Sequence, residues 1–150
     1  MSQSASEQLE VLAREIFELT KIAWLTAQRT KPDGRHDLSE TEFLALDALE
    51  QSGRLTVGDL QRRINVQPAR MSRIIKSLET KYDSPLVTCT INREDKRKID
   101  VRLSEAGTSA ADAFRRGKIS INAEVLRSLS AGDVDDLMRI VRIIRKAMGS

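Results

Sequence analysis

LTVGDLQRRINVQPARMSRIIKSLE, residues 55 to 79, decides the fold. Val57, Leu60 and Ile64 step by three and four, the spacing of a short helix with one buried stripe. Met71, Ile74, Ile75 and Leu78 repeat that stripe at i, i+3, i+4 and i+7 in a second helix. Between them NVQ, residues 65 to 67, forms a turn. Pro68 suits the first position of the second helix, where its missing N–H is not needed. Asn65 tolerates the left-handed backbone that such a turn requires. The consequence is helix, short turn, helix.

The face of the second helix opposite its apolar stripe carries Arg70, Arg73 and Lys76. Of these, only Lys76 has an acidic residue within one helical turn, Glu79. Two readings are open for the arginines, a solvated face or a contact with DNA. A recognition helix buries one stripe and offers the other to the major groove, with the residues near its N-terminus reaching base edges. The candidates are Gln67, Pro68, Ala69, Arg70, Ser72, Arg73 and Lys76. Arginine can donate a bidentate pair to guanine, worth roughly 1 to 3 kcal/mol of discrimination.

Downstream the period changes to two. LVTCTI, residues 86 to 91, is rich in β-branched residues, and KIDVRL, residues 98 to 103, alternates. In the latter Ile99, Val101 and Leu103 are expected on one face and Lys98, Asp100 and Arg102 on the other. These read as a hairpin whose tip, residues 92 to 97, would lie beside a duplex as a wing. The wing candidates are Asn92, Arg93, Asp95, Lys96, Arg97 and Lys98, with Arg97 reaching the minor groove or a phosphate and Asp95 orienting its guanidinium. Upstream, Leu9, Leu12, Ile16, Leu19 and Ala23 mark a long amphipathic helix ended by TKPDGRHD, residues 30 to 37. SETE, residues 39 to 42, has the form of a capping box and opens a helix that Gly53 closes. Ser104 caps a further long helix, and a last one runs from about Ala131 to Met148.

Charge supports the DNA reading. The net charge of +3 conceals a segregation: residues 61 to 102 carry eleven Lys/Arg against five Asp/Glu, whereas residues 1 to 60 carry six against eleven. A localised basic excess is the footprint of a phosphate-binding surface. The 150 residues favour one domain, and no apolar run approaches the length of a membrane span, so a cytoplasmic protein is expected. With one His, His36, one Cys, Cys89, and no glycine-rich phosphate loop, no catalytic or zinc set is recognisable; neither an enzyme nor a cofactor is expected. Cys89 reads as a small strand hydrophobe, with redox sensing the alternative. His36 reads as solvated, and Phe17, Trp24 and Phe43 read as core rather than as a ligand pocket.

The helix-turn-helix of residues 55 to 79, together with NREDKRKIDVRLSEAG at residues 92 to 107, resembles the multiple antibiotic resistance regulator (MarR) family of winged-helix transcription factors. Asp95 and Arg97 match that family's D-x-R element, Leu103 to Gly107 its L-[ST]-x-x-G, and Gln67 to Arg73 the start of its recognition helix. Asn65 stands where the family commonly has Gly, and the N-terminal cysteine of its peroxide-sensing members is absent. The resemblance implies a homodimer that binds pseudo-palindromic operator DNA and is often released by a small ligand or an oxidant. The expected fold class is mainly α with a small β hairpin (α+β): a winged helix-turn-helix core over about 38–103, flanked by dimerisation helices over about 6–30 and 104–148. Leu9, Leu12, Ile16, Leu126, Leu129, Val134, Leu137, Val141 and Ile144 are the dimerisation candidates, because a small winged domain alone cannot cover so much apolar surface. The expected function is a transcriptional regulator, most simply a repressor. A winged-helix adaptor that binds protein rather than DNA is the competing class.

Overall fold

Ser39 starts the winged unit with the capping box expected of SETE: its hydroxyl accepts the Glu42 amide at 3.1 Å, and its own amide donates to the Glu42 carboxylate at 3.2 Å. In the computed structural model, which describes residues 3–29 and 38–149, six helices and three strands follow in the order α1(Gln3–Arg29), α2(Glu40–Ser52), β1(Arg54–Thr56), α3(Val57–Ile64), α4(Pro68–Thr80), β2(Val87–Ile91), β3(Ile99–Leu103), α5(Glu105–Leu126) and α6(Ala131–Ala147). The chain divides into two compact units, Met1–His36 and Asp37–Ser150. His36 and TKPDGRHD lie outside the described residues.

Within the first unit, α1 is a single amphipathic helix steadied by the pairs Glu10–Arg14 at 2.6 Å and Glu18–Lys21 at 2.7 Å. Phe17 and Trp24 meet edge to face at 6.5 Å. Both remain exposed, which corrects the expectation that they are core.

The second unit is built on a core of Leu46 and Leu49 from α2, Leu60 from α3, Met71, Ile75 and Leu78 from α4, and Val87 and Val101 from the sheet. Full burial of such side chains contributes about 1.5 to 3 kcal/mol each. Gly53, at φ +75°, closes α2 and lets the chain turn straight into β1.

The sheet corrects the expected two-stranded hairpin. It is three-stranded and antiparallel in the order β1-β3-β2, with Leu55 opposite Val101 and Cys89 opposite Val101 on the other side. The strict alternation expected of KIDVRL also fails at one end, since Asp100 is buried and Ile99 exposed. The cause is the third strand. β1 pairs only with Asp100 to Arg102, so Ile99 has a strand on one side alone. Asp100, between two strands, accepts the Asn92 side-chain amide at 2.9 Å and lies 3.7 Å from the Arg54 guanidinium.

Ser104 joins the wing to α5. Its hydroxyl accepts the Gly107 amide at 3.0 Å and donates to the Pro85 carbonyl at 2.6 Å. α5 docks on α2 through stacked Phe43 and Phe114, 4.5 Å between centroids, and through Arg115, which donates to Asp47 at 3.0 Å and Glu50 at 2.7 Å. Phe43 is thus the one of the three noted aromatics that packs against the core. No residue of α6 is buried.

Candidate nucleic-acid interface

Thr56 caps α3 by accepting the Asp59 amide at 3.1 Å, and Asn65 closes the helix at φ 54°, ψ 56°, the left-handed conformation expected of it. The turn passes through Val66 and Gln67 to Pro68, the first residue of α4. α4 buries Met71, Ile74, Ile75 and Leu78 and leaves Gln67, Pro68, Ala69, Arg70, Ser72, Arg73 and Lys76 exposed on its other face. The Ser72 hydroxyl turns back to the Pro68 carbonyl at 3.2 Å, while the Arg70 guanidinium donates to the Thr41 hydroxyl at 3.1 Å. The pairing of Lys76 with Glu79 expected from their spacing is corrected: Glu79 accepts the Cys89 thiol at 2.8 Å, because β2 packs beside α4 and supplies a nearer donor.

The wing owes its shape to Asn92. Its side-chain oxygen accepts the Glu94 amide at 3.0 Å and the Asp95 amide at 2.8 Å, and its side-chain nitrogen ties the loop to Asp100. Beyond this turn, Asp95 grips the Arg97 guanidinium with both oxygens, at 3.1 and 3.3 Å, and accepts the Arg97 amide at 3.1 Å. These bonds from Arg97 hold the Asp95 carboxyl below its ordinary range. Arg97 itself is 90% exposed, an anchored cation facing solvent, and Arg93, Lys96 and Lys98 stand exposed around it. Between wing and helix-turn-helix runs a groove of about 660 Å³ whose lining includes Val57, Ile75 and Ile99, four cations, Arg62, Lys76, Arg97 and Lys98, and one acid, Glu79. The cationic excess of such a groove suits a polyanionic backbone passing from α4 to the wing.

The MarR family model matches residues 38–99, the span of this winged core. An uncharacterised HTH-type transcriptional regulator of Mycobacterium bovis is 33% identical over 100 residues, 67% of this chain and 68% of that protein. The chain belongs to the MarR family of transcriptional regulators. Among solved structures, a MarR family protein of Bacillus stearothermophilus superposes with a TM-score of 0.74 at 22% identity, covering 100% of this chain and 99% of that one. BpsR of Bordetella bronchiseptica, whose DNA binding is regulated by 6-hydroxynicotinic acid, superposes at 0.61 with 20% identity, over 92% of this chain and 98% of that one.

Two side chains of this MarR-family site escape a reading of the sequence. Arg62 sits in the last turn of α3 and pairs with Asp59 one turn back, so its sequence signature is that of an ordinary helical ion pair. Thr41 lies inside the capping box, where only Ser39 and Glu42 draw notice. Cys89 borders the groove, but its thiol pKa is pushed up to about 12 by burial and by the Glu79 carboxylate to which the thiol donates a hydrogen bond. A thiol so held is not a thiolate at neutral pH, which argues against redox sensing there. Among the described residues no cluster of three or more His, Cys, Asp or Glu is placed to hold a metal ion, and no helix is long and apolar enough to cross a membrane. Every dimerisation candidate, from Leu9, Leu12 and Ile16 on α1 to Leu126, Leu129, Val134, Leu137, Val141 and Ile144, is at least 37% exposed within the single chain.

Proposed function

We propose that this MarR-family regulator is a cytoplasmic, non-enzymatic homodimer that binds pseudo-palindromic double-stranded DNA and represses transcription, with release by a small organic ligand. The observation that carries the reading is the groove whose lining brings together Lys76 of α4, Arg62 of the preceding helix and Arg97 and Lys98 of the wing. α4 enters the major groove with Arg70 and Arg73 toward base edges, and the wing cations lie along the backbone. Asn92 and Asp95 serve as positioning residues there, since their polar atoms are engaged within the wing. The regulation of BpsR by 6-hydroxynicotinic acid supports an effector of small organic type.

The test is fluorescence anisotropy with duplexes drawn from the DNA flanking its gene. The expected result is at least one duplex bound about 1,000-fold or more tightly than random DNA at physiological salt, with binding that weakens steeply as salt rises. Equal binding of flanking and random duplexes would overturn the reading and leave the adaptor class.

A further inference from the structure

Arg70 and Arg73 share the open face of α4, yet among the described residues only Arg70 has a hydrogen-bond partner on another helix. The Arg70 guanidinium donates to Thr41 Oγ1 at 3.1 Å, across 29 residues of sequence. We propose that Thr41 is a positioning residue for Arg70, fixing the guanidinium that reads one base pair. The inference rests on the DNA-binding reading above.

Three features make Thr41 suited to this. Its β-branched side chain is restricted at χ1, which limits where the acceptor can sit. Its neighbour Glu42 is buried and accepts the Ser77 hydroxyl at 3.1 Å and the Tyr82 hydroxyl at 2.8 Å, tying the start of α2 to the far half of α4 and the residues just after it. The helix start that carries Thr41 is thus tied to the helix that carries Arg70. Finally, a hydroxyl takes only one of the five guanidinium N–H donors, so a bidentate pair remains for guanine. A flexible arginine ordered before binding loses less side-chain entropy on contact. Among the described residues Arg73 has no such partner.

The experiment enriches a random-sequence duplex library with the full-length protein and its Thr41→Val, Thr41→Ser and Arg70→Ala variants. Melting temperature and the salt dependence of binding to random DNA are measured on each. Arg70→Ala is expected to flatten base preference at its own position in each half-site. Thr41→Val, which keeps shape and removes the hydroxyl, is expected to lower discrimination at that same position about three- to tenfold, with melting temperature and salt dependence unchanged. Thr41→Ser is expected to restore it. The brace is overturned if Thr41→Val keeps the wild-type preference where Arg70→Ala loses it, or if it weakens all sequences equally. It is overturned alone if wild type enriches a motif and Arg70→Ala flattens no position. Failure of wild type to enrich any sequence overturns the DNA-binding reading and the brace with it.

Discussion

Glu42 joins three parts of the winged core through one carboxylate, capping α2 through Ser39 and accepting Ser77 from α4 and Tyr82 from the segment after it. Burial acts to raise its pKa, but the bonds from Tyr82, Ser39 and Ser77 outweigh burial and hold the carboxyl below its ordinary value of 4.5. A carboxylate depressed on folding contributes stability that is fully present above the unfolded value and is lost as pH falls through the folded one. Glu42→Gln should therefore cost about 1 to 3 kcal/mol near neutrality. It should also flatten the decline in stability that begins below pH 4.5. Urea unfolding at fixed protein concentration across an acid series reads both effects. An acid slope identical to that of the unaltered protein would show that Glu42 ionises alike in both states. At the same scale, Asp95 and Arg97 show a cation held in place by charge: the exposed pair adds little stability, yet it sets where the Arg97 guanidinium of the wing points.

The junction from β3 to α5 is governed by Gly107. A Cβ built there would lie 2.1 Å from the Leu86 carbonyl oxygen and 2.8 Å from a Leu103 methyl, a clash with backbone that no rotamer relieves. Gly107→Ala should destabilise the protein by about 3 kcal/mol, whereas Gly117→Ala, which meets nothing within 4 Å, should be neutral or slightly stabilising. Chemical denaturation of the two variants provides the comparison, and equal stabilities would contradict the close approach of α5 to the wing. The glycine of the L-[ST]-x-x-G element thus has a steric reason that the sequence states only as a pattern. Elements were legible wherever a local signal sufficed: the capping box at Ser39, the left-handed Asn65, Pro68 at the start of α4 and the stripe of α4 all fall where spacing and turn chemistry place them. β1 was not legible. Its three residues, RLT, become a strand only by pairing with Asp100 to Arg102, some 45 positions away, and no local period records that. The burial of Asp100 and the bond from Arg70 to Thr41 were hidden for the same reason, since both depend on which distant element arrives beside them.

For the whole molecule, the exposed apolar faces bear on the homodimer proposed above. Val134, Leu137, Val141 and Ile144 recur at helical spacing on α6 and are 37% to 46% exposed, on a helix that buries nothing within its own chain. At roughly 25 cal/mol for each Å² of apolar surface, water exposure of such a stripe is unfavourable enough to favour association. In the homodimer proposed above, a two-fold pairing would let one stripe cover its copy and would set two α4 helices toward two half-sites about 34 to 36 Å apart. Dimerisation and DNA affinity are then linked, because the second half-site is bound at high effective concentration once the first is held. Val141→Glu combined with Ile144→Glu should shift sedimentation from dimer to monomer. The winged core, whose residues these changes do not touch, should keep its melting behaviour. Affinity for a duplex with two half-sites should fall roughly 100-fold or more, and affinity for a single half-site should stay as it was. A variant that remains dimeric would place the interface elsewhere. A monomer that binds two half-sites as tightly as the unaltered protein would break the link between association and DNA affinity.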